Sequence, residues 1–499
     1  MDATKETIDK LLVNATAATK ELYFTILEDD SCLKNCGQNV PALLRDVPEL
    51  RMDIKFILVD LQTSMRACFA TDRLYEKRYH LKNLYAGMLE GFKLLYGFGN
   101  MRKRTVWWRI GEDLQNEIVG SSPYTLFLPL KKCYDNITQA LLAIESTQTD
   151  RDERNLTYHY DDDLLLVYRL TLKTNSEEEA GEKFIHYMDV LRSMLKLSNL
   201  IEDIYAANGC RLPQGASHND ELSLKIVQKV AKVFGENPRM PEVLLIAVDK
   251  GAEQIDKYAE MKKNTVKVEE YIDKSFKEKK IDIPEIGIIK GLLDVQMMAS
   301  FMMADAATIL RGFIGAGSEV ECPLTLRRLT ISRVSTLNHL IGYKKDDSDS
   351  MWRRIKTIIP NGYNELNEQA IQIEKRLLSL RKEGDVDSRA LYVHLIDNHK
   401  YKSNIPAIVS ALENPMILME LQASQDVVKI CGDISKFMVK LMDAFSAEAR
   451  KARIESDRKL KKQIDGIREL TNHPNCPELL RDSMREQLDE VERIINTFS

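Results

Sequence analysis

The chain repeats itself in order, and this limits its possible folds more than any single motif does. "DVPEL" at Asp46–Leu50 returns as "DIPEI" at Asp282–Ile286. "VDLQTSM" (Val59–Met65) is echoed by "LDVQMMA" (Leu293–Ala299), and "VWWRI" (Val106–Ile110) by "MWRRI" (Met351–Ile355). Upstream, "LLVNATAATKELY" from Leu11 has a fainter counterpart in "LLIAVDKGAEQIDKY" from Leu244. The offset drifts only between about 233 and 245 residues, as small insertions would produce. A tandem duplication is therefore expected. Copy one spans 1–209, a linker 210–236, copy two 237–450, and a charged helical extension 451–499. The linker assignment rests on the Gly, Pro and Asn cluster in "NGCRLPQGASHNDE" (Asn208–Glu221).

Each copy reads as helical. Gly (22) and Pro (14) are scarce for 499 residues, so few breakers interrupt the helix-forming residues. "HYMDVLRSMLKLSNLIEDIY" (His186–Tyr205) and "DVVKICGDISKFMVKLMDAF" (Asp426–Phe445) carry apolar residues at i, i+3, i+4 and i+7 over several turns. No alternating strand set is present. The expected fold class is all-α: two similar helical bundles plus a helical C-terminal extension.

Charge and cysteine usage narrow the function classes. The net charge is −5, so any nucleic-acid contact has to use a local basic patch. The eight cysteines are scattered; Cys32 and Cys36 are close, but no His/Cys pair follows to complete a zinc site. Free thiols, a polar N-terminus and the lack of an unbroken apolar run of about 20 residues lead to the expectation of a cytoplasmic protein without a membrane or a cofactor.

One constellation carries chemistry. "ERNLTYHYDDD" (Glu153–Asp163) holds Arg154, Asn155 and His159, and "SRALYVH" (Ser388–His394) holds Arg389 and His394 at the duplication offset. Both copies thus place Arg and His with four residues between. Asp150 precedes Arg154, and Asp385, Asp387 and Ser388 precede Arg389, as candidate helix caps. Arginine supplies a donor fork suited to phosphate, and histidine moves protons near neutral pH. Five residues advance a helix by about 140° net. The two side chains therefore have to reach a common target from different sides, or the arginine has to sit before the regular turns begin. Metal-free RNA cleavage needs an acid, a base and a cation at the phosphate, which two such pairs would supply.

These residues resemble the Arg-Asn-x-x-x-His form of the Arg-x4–6-His motif of the HEPN superfamily. The resemblance covers the motif and its helical setting. It implies an all-helical protein and a metal-independent endoribonuclease that leaves 2′,3′-cyclic phosphate ends, with one composite site from two facing motifs, as in toxin–antitoxin and other defence systems. Arg154, Asn155 and His159 would form one half-site, and Arg389 and His394 the other. RNA and an antitoxin or regulatory protein would be the partners. Copy two departs from the pattern with Ala390 in place of asparagine. Some HEPN proteins are non-catalytic, so a helical scaffold or binding module is the alternative.

Weaker signals accompany the motif. Arg102, Lys103, Arg104, Arg327, Arg328, Arg353 and Arg354 are candidate RNA contacts beside it. The tryptophans of "VWWRI" and "MWRRI" are expected in the core, with the basic residues on a solvated face. His186 and His339 read as core histidines. The Asp161–Asp163 run reads as a solvated turn, and the glycines of "GFGN" and "GFIGAGS" as turns.

Overall fold

In the computed structural model the described residues are 2–120, 127–147, 164–165, 167–168, 177–216, 219–275, 284–342, 350–397 and 402–472. Among them the protein is all-α. Its helices are α1 (Asp2–Phe24), α2 (Ile26–Asn35), α3 (Ala42–Phe69), α4 (Leu74–Leu95), α5 (Val106–Gly120), α6 (Phe127–Thr147), α7 (Glu177–Ala207) and α8 (Glu221–Glu236). They continue as α9 (Met240–Ser275), α10 (Pro284–Ile314), α11 (Glu321–Ile341), α12 (Met351–Thr357), α13 (Asn364–Leu380), α14 (Asp385–Val393), α15 (Ile405–Leu412) and α16 (Met419–Asn472). There is no strand among the described residues; Ile396 and Ser403 form an isolated antiparallel bridge.

The chain divides into two compact units. The larger comprises Met1–Thr357 and Gln372–Ser435, so it draws on both sequence repeats; the smaller comprises Ile358–Ile371 and Lys436–Ser499. In the smaller unit the Tyr363 hydroxyl donates to Glu448 at 3.2 Å.

In the larger unit α3 and α10 each pack on several helices. Helix α3 packs on α1, α4 and α5, and α10 packs on α9, α11 and α12. Leu43, Val47, Leu50, Ile54, Ile57 and Leu61 put a buried residue on the inner side of α3 at every turn. The repeated "DVPEL"/"DIPEI" is used in two ways: Pro48 lies inside α3, whereas Pro284 opens α10, where its missing N–H costs nothing. Trp107 and Trp352 are both fully buried, as expected of repeated core positions. Trp107 stacks on Tyr134 with ring centroids 4.5 Å apart and donates its indole N–H to Thr138 at 3.1 Å.

Three local features differ from the sequence expectation. Residues 221–236 of the linker form α8, started by Asp220, which accepts the Ser223 N–H at 3.0 Å. The described part of the charged extension, 451–472, continues α16, which runs unbroken for 54 residues to Asn472; residues 473–499 lie outside the described residues. Ile286–Ile314 is long and apolar enough to cross a bilayer by length and composition, although 56% of its apolar window is buried within the protein. Lys290, Asp294 and Asp305 interrupt its apolar residues, which is why no unbroken run marks it.

Candidate functional site

Arg154, Asn155 and His159 lie outside the described residues, as does the Asp161–Asp163 run. The second motif is described. Helix α14 starts after Gly384, which holds φ +81°, a conformation that glycine adopts without the steric cost other residues meet. Asp385 opens the helix without capping it. Its carboxylate instead accepts the Lys382 N–H at 2.8 Å and both Arg333 Nη groups at 2.7 and 3.0 Å. Arg333 is itself buried on α11, and its Nε also donates to Glu420 at 2.9 Å. Two carboxylates thus compensate one buried guanidinium, and together they fix the start of α14 against α11 and α16.

Further along α14 the two motif side chains diverge. Arg389 is buried, and its Nε donates to the Ser335 hydroxyl of α11 at 2.8 Å. His394 is the residue after the last turn, and its Nδ1 lies 3.7 Å from Glu90 Oε1 on α4. Glu90 is buried, whereas the His394 side chain is 20% exposed. The Asn404 side chain donates to the His394 carbonyl at 2.8 Å, and Val393 packs on Ala86 and Ile331. Arginine therefore meets Ser335 of α11, and histidine faces Glu90 of α4. His394 has left the helix in an extended conformation.

Around this helix end, charged side chains cross between residues of the two repeats. Arg327 of α11 donates to Asp60 of α3 at 2.6 Å, and Arg328 lies 3.6 Å from the same carboxylate. Arg328 also donates to Ser64. In the reverse direction Arg66 of α3 pairs with Glu321 of α11 at 2.6 Å. Helices α4 and α10 are joined in turn: Arg311 pairs with Glu76, and the Tyr75 hydroxyl donates to Asp305 at 2.6 Å. His80 is buried in this seam. Burial, then the positive charges of Arg328 and Arg66, lower its pKa to about 3, so the imidazole is neutral. Nearby, the Ser403 hydroxyl donates to Asp53 at 2.7 Å and ties the segment after α14 to α3. Burial and the neighbouring Glu49 raise the Asp53 carboxyl well above the ordinary range.

The seven basic candidates separate by burial. Arg327 and Arg328 are buried inside the seam, out of reach of a solvent-borne phosphate, and Arg327 Nε and Nη1 find no acceptor among the described residues. Arg102 is half-buried with its guanidinium 4.9 Å from the Tyr96 ring centre, and Arg353 is half-buried with its Nε 3.4 Å from Glu374. Lys103, Arg104 and Arg354 are exposed. His186 is exposed and His339 half-buried, so His186 is not the core histidine its apolar setting promised. The flanking Ile185 is also exposed, at 60%, so the residues on both sides of the apolar pattern face out at this end of α7.

Sequence reasoning passed over His80, Glu90 and Asp53. Asp60 carried a signal, since it is the acid within the repeated "VDLQTSM". Among the described residues no group of three or more His, Cys, Asp or Glu side chains could hold a metal. A separate hollow of about 700 Å³ lies between α2, the linker and α15, lined by Asp30, Lys34, Asp220, Ser410 and Glu413 among others. Comparison of the chain with family models, curated proteins and solved structures found no match.

Proposed function

We propose that this chain is a tandem HEPN-like helical module that serves as a scaffold or binding protein, with its second Arg-x4-His pair used for packing. The observation that carries this reading is Arg389: only 5% of the residue is exposed, and its Nε is engaged with Ser335 of its own copy. An arginine that binds a scissile phosphate has to present its donors to an open cleft. The duplication behind the reading is supported by one shared feature of packing: α3 packs on α4 and α5, and α10 packs on α11 and α12. Ala390, where copy one has Asn155, points the same way.

One observation favours the second reading, a metal-independent HEPN endoribonuclease. His394 of copy two faces Glu90 of copy one, 3.7 Å away and partly exposed, at a junction of the kind a composite site would occupy. In that case His159 and His394 would be acid and base. Incubating the purified protein with mixed RNA in EDTA separates the two. The scaffold reading expects no 2′,3′-cyclic phosphate ends above background. Cleavage that disappears in both His159→Ala and His394→Ala would establish the nuclease and remove the scaffold reading.

A further inference from the structure

Helix α16 carries its charge unevenly. Residues 450–462 hold seven Lys or Arg and two acids, in a chain whose net charge is −5. This stretch lies within the smaller unit and inside the unbroken run of α16. At about 100° per residue, Arg450, Lys451, Arg458, Lys461 and Lys462 fall within roughly 120° of arc, along about 18 Å of helix. Glu455 and Asp457 fall outside that arc. All five cations are exposed. Arg458, Lys461 and Lys462 form no ion pair with a described residue, and Glu455 is taken by Lys459 at 2.9 Å, outside the arc. Arg450 donates to the Ser446 carbonyl at 3.2 Å and Lys451 to Glu448 at 2.8 Å. Such exposed local contacts are worth little and give way to a stronger anion. The exposed acids Asp443 and Asp465 bound the patch on the same side of the helix.

We propose that this side of α16 docks on double-stranded DNA, with its five cations on backbone phosphates and no reading of base sequence. A row of exposed cations without acids between them complements a row of phosphates. Three features select the duplex among polyanions. A helix that lies on a lipid surface needs an apolar stripe; Ile454 is the one apolar residue within the arc, and Ile464, off the arc, is buried by protein. Unpaired bases are held by stacking on aromatic rings, and residues 450–462 contain no aromatic residue. A helix with its side chains is about 10–12 Å across, which the major groove of B-form DNA admits and the deep, narrow groove of A-form RNA does not. Contacts to phosphate alone position a protein without specifying sequence. This partner goes beyond the scaffold reading and does not depend on it, because α16 presents the same face whether or not the Arg-x4-His pairs are catalytic.

The test titrates the folded full-length chain into a fluorescently labelled DNA duplex of mixed sequence, read by anisotropy at several salt concentrations. Five phosphate contacts lead to an affinity that falls about 500-fold between about 50 and 200 mM salt. Arg458→Gln, Lys461→Gln and Lys462→Gln combined should weaken binding at least about tenfold at the lower salt and reduce the salt slope by about three, with helix content unchanged by circular dichroism. Lys225→Gln, Lys229→Gln and Lys250→Gln combined remove the same charge from exposed positions elsewhere and should leave the affinity within about twofold. A wild-type chain that binds no duplex at the lower salt would overturn the proposal. So would an α16 variant that binds like wild type, or a duplex RNA, single-stranded DNA or phosphatidylserine vesicle bound as tightly as the DNA duplex. None of these failures touches the RNA-cleavage test, so the scaffold reading is judged separately.

Discussion

Two arginine-rich stretches look alike in the sequence and meet opposite fates. "MRKR" (Met101–Arg104) lies at the surface, with Lys103 and Arg104 exposed, whereas Arg327 and Arg328 are buried and face Asp60. The difference arises from what each stretch meets in space. The first belongs to a short 3₁₀ turn, Gly99–Arg104, between α4 and α5. The second lies on α11, which faces α3, where Asp60 takes one Arg327 donor and Ser64 one Arg328 donor. A buried guanidinium needs a partner to offset its desolvation, and for Arg327 that partner is 267 positions away. Local charge therefore says little about exposure in this protein.

The largest break of this contrast is expected at Asp60. Asp60→Ala removes the acceptor shared by two buried arginines and should cost about 3–5 kcal/mol, read as a lower denaturant midpoint. A loss below about 1 kcal/mol would mean that water reaches the seam. Arg389→Met should follow, destabilising by about 1–3 kcal/mol through the abandoned Ser335 contact and the changed packing. If Arg389 instead faced an open cleft, the same change would leave stability within about 0.5 kcal/mol.

Acid and base stress should act on His80 and Asp53 with opposite sign. His80 is neutral in the fold, with its pKa lowered from 6.5 to about 3. The unfolded chain binds the extra proton first, so this contribution is complete above pH 6.5 and is lost as pH falls towards 3. Asp53 is shifted upward, so the folded state holds its proton longer, and stability declines as pH rises from the ordinary carboxylate range through the raised value. Urea midpoints across pH should show a shallower acid slope in His80→Gln and a shallower basic slope in Asp53→Asn. Unchanged slopes would place the pH dependence in other groups. The smallest effect belongs to the surface stretch: Lys103→Ala with Arg104→Ala should move stability by no more than about 0.5 kcal/mol, measured by the same midpoints.

Much of the helical architecture was legible because its signals are local. Scarce breakers, the i, i+3, i+4 patterns and the repeated tryptophans reflect propensity and burial, which act within a few turns. The candidate site was legible only in part. The spacing of Arg389 and His394 already set them on different sides of a regular helix. Which neighbours they meet depends on Ser335 and Glu90, 54 and 304 positions away by residue number, and nothing local encodes those meetings. Apolar periodicity likewise misplaced His186, because it describes a helix face without saying whether another helix covers it.

The sequence by itself determined that the chain is all-α, that Trp107 and Trp352 are core positions, and that motifs recur in order along its length. These follow from periodicity and composition, which need no knowledge of distant contacts. Only the tertiary structure decided which charges are buried. It turned Arg327 and Arg328 from candidate RNA contacts into parts of a seam and directed Arg389 inward. The physical reason is that the cost of burying a polar group depends on the partner it finds, and those partners come from other parts of the chain.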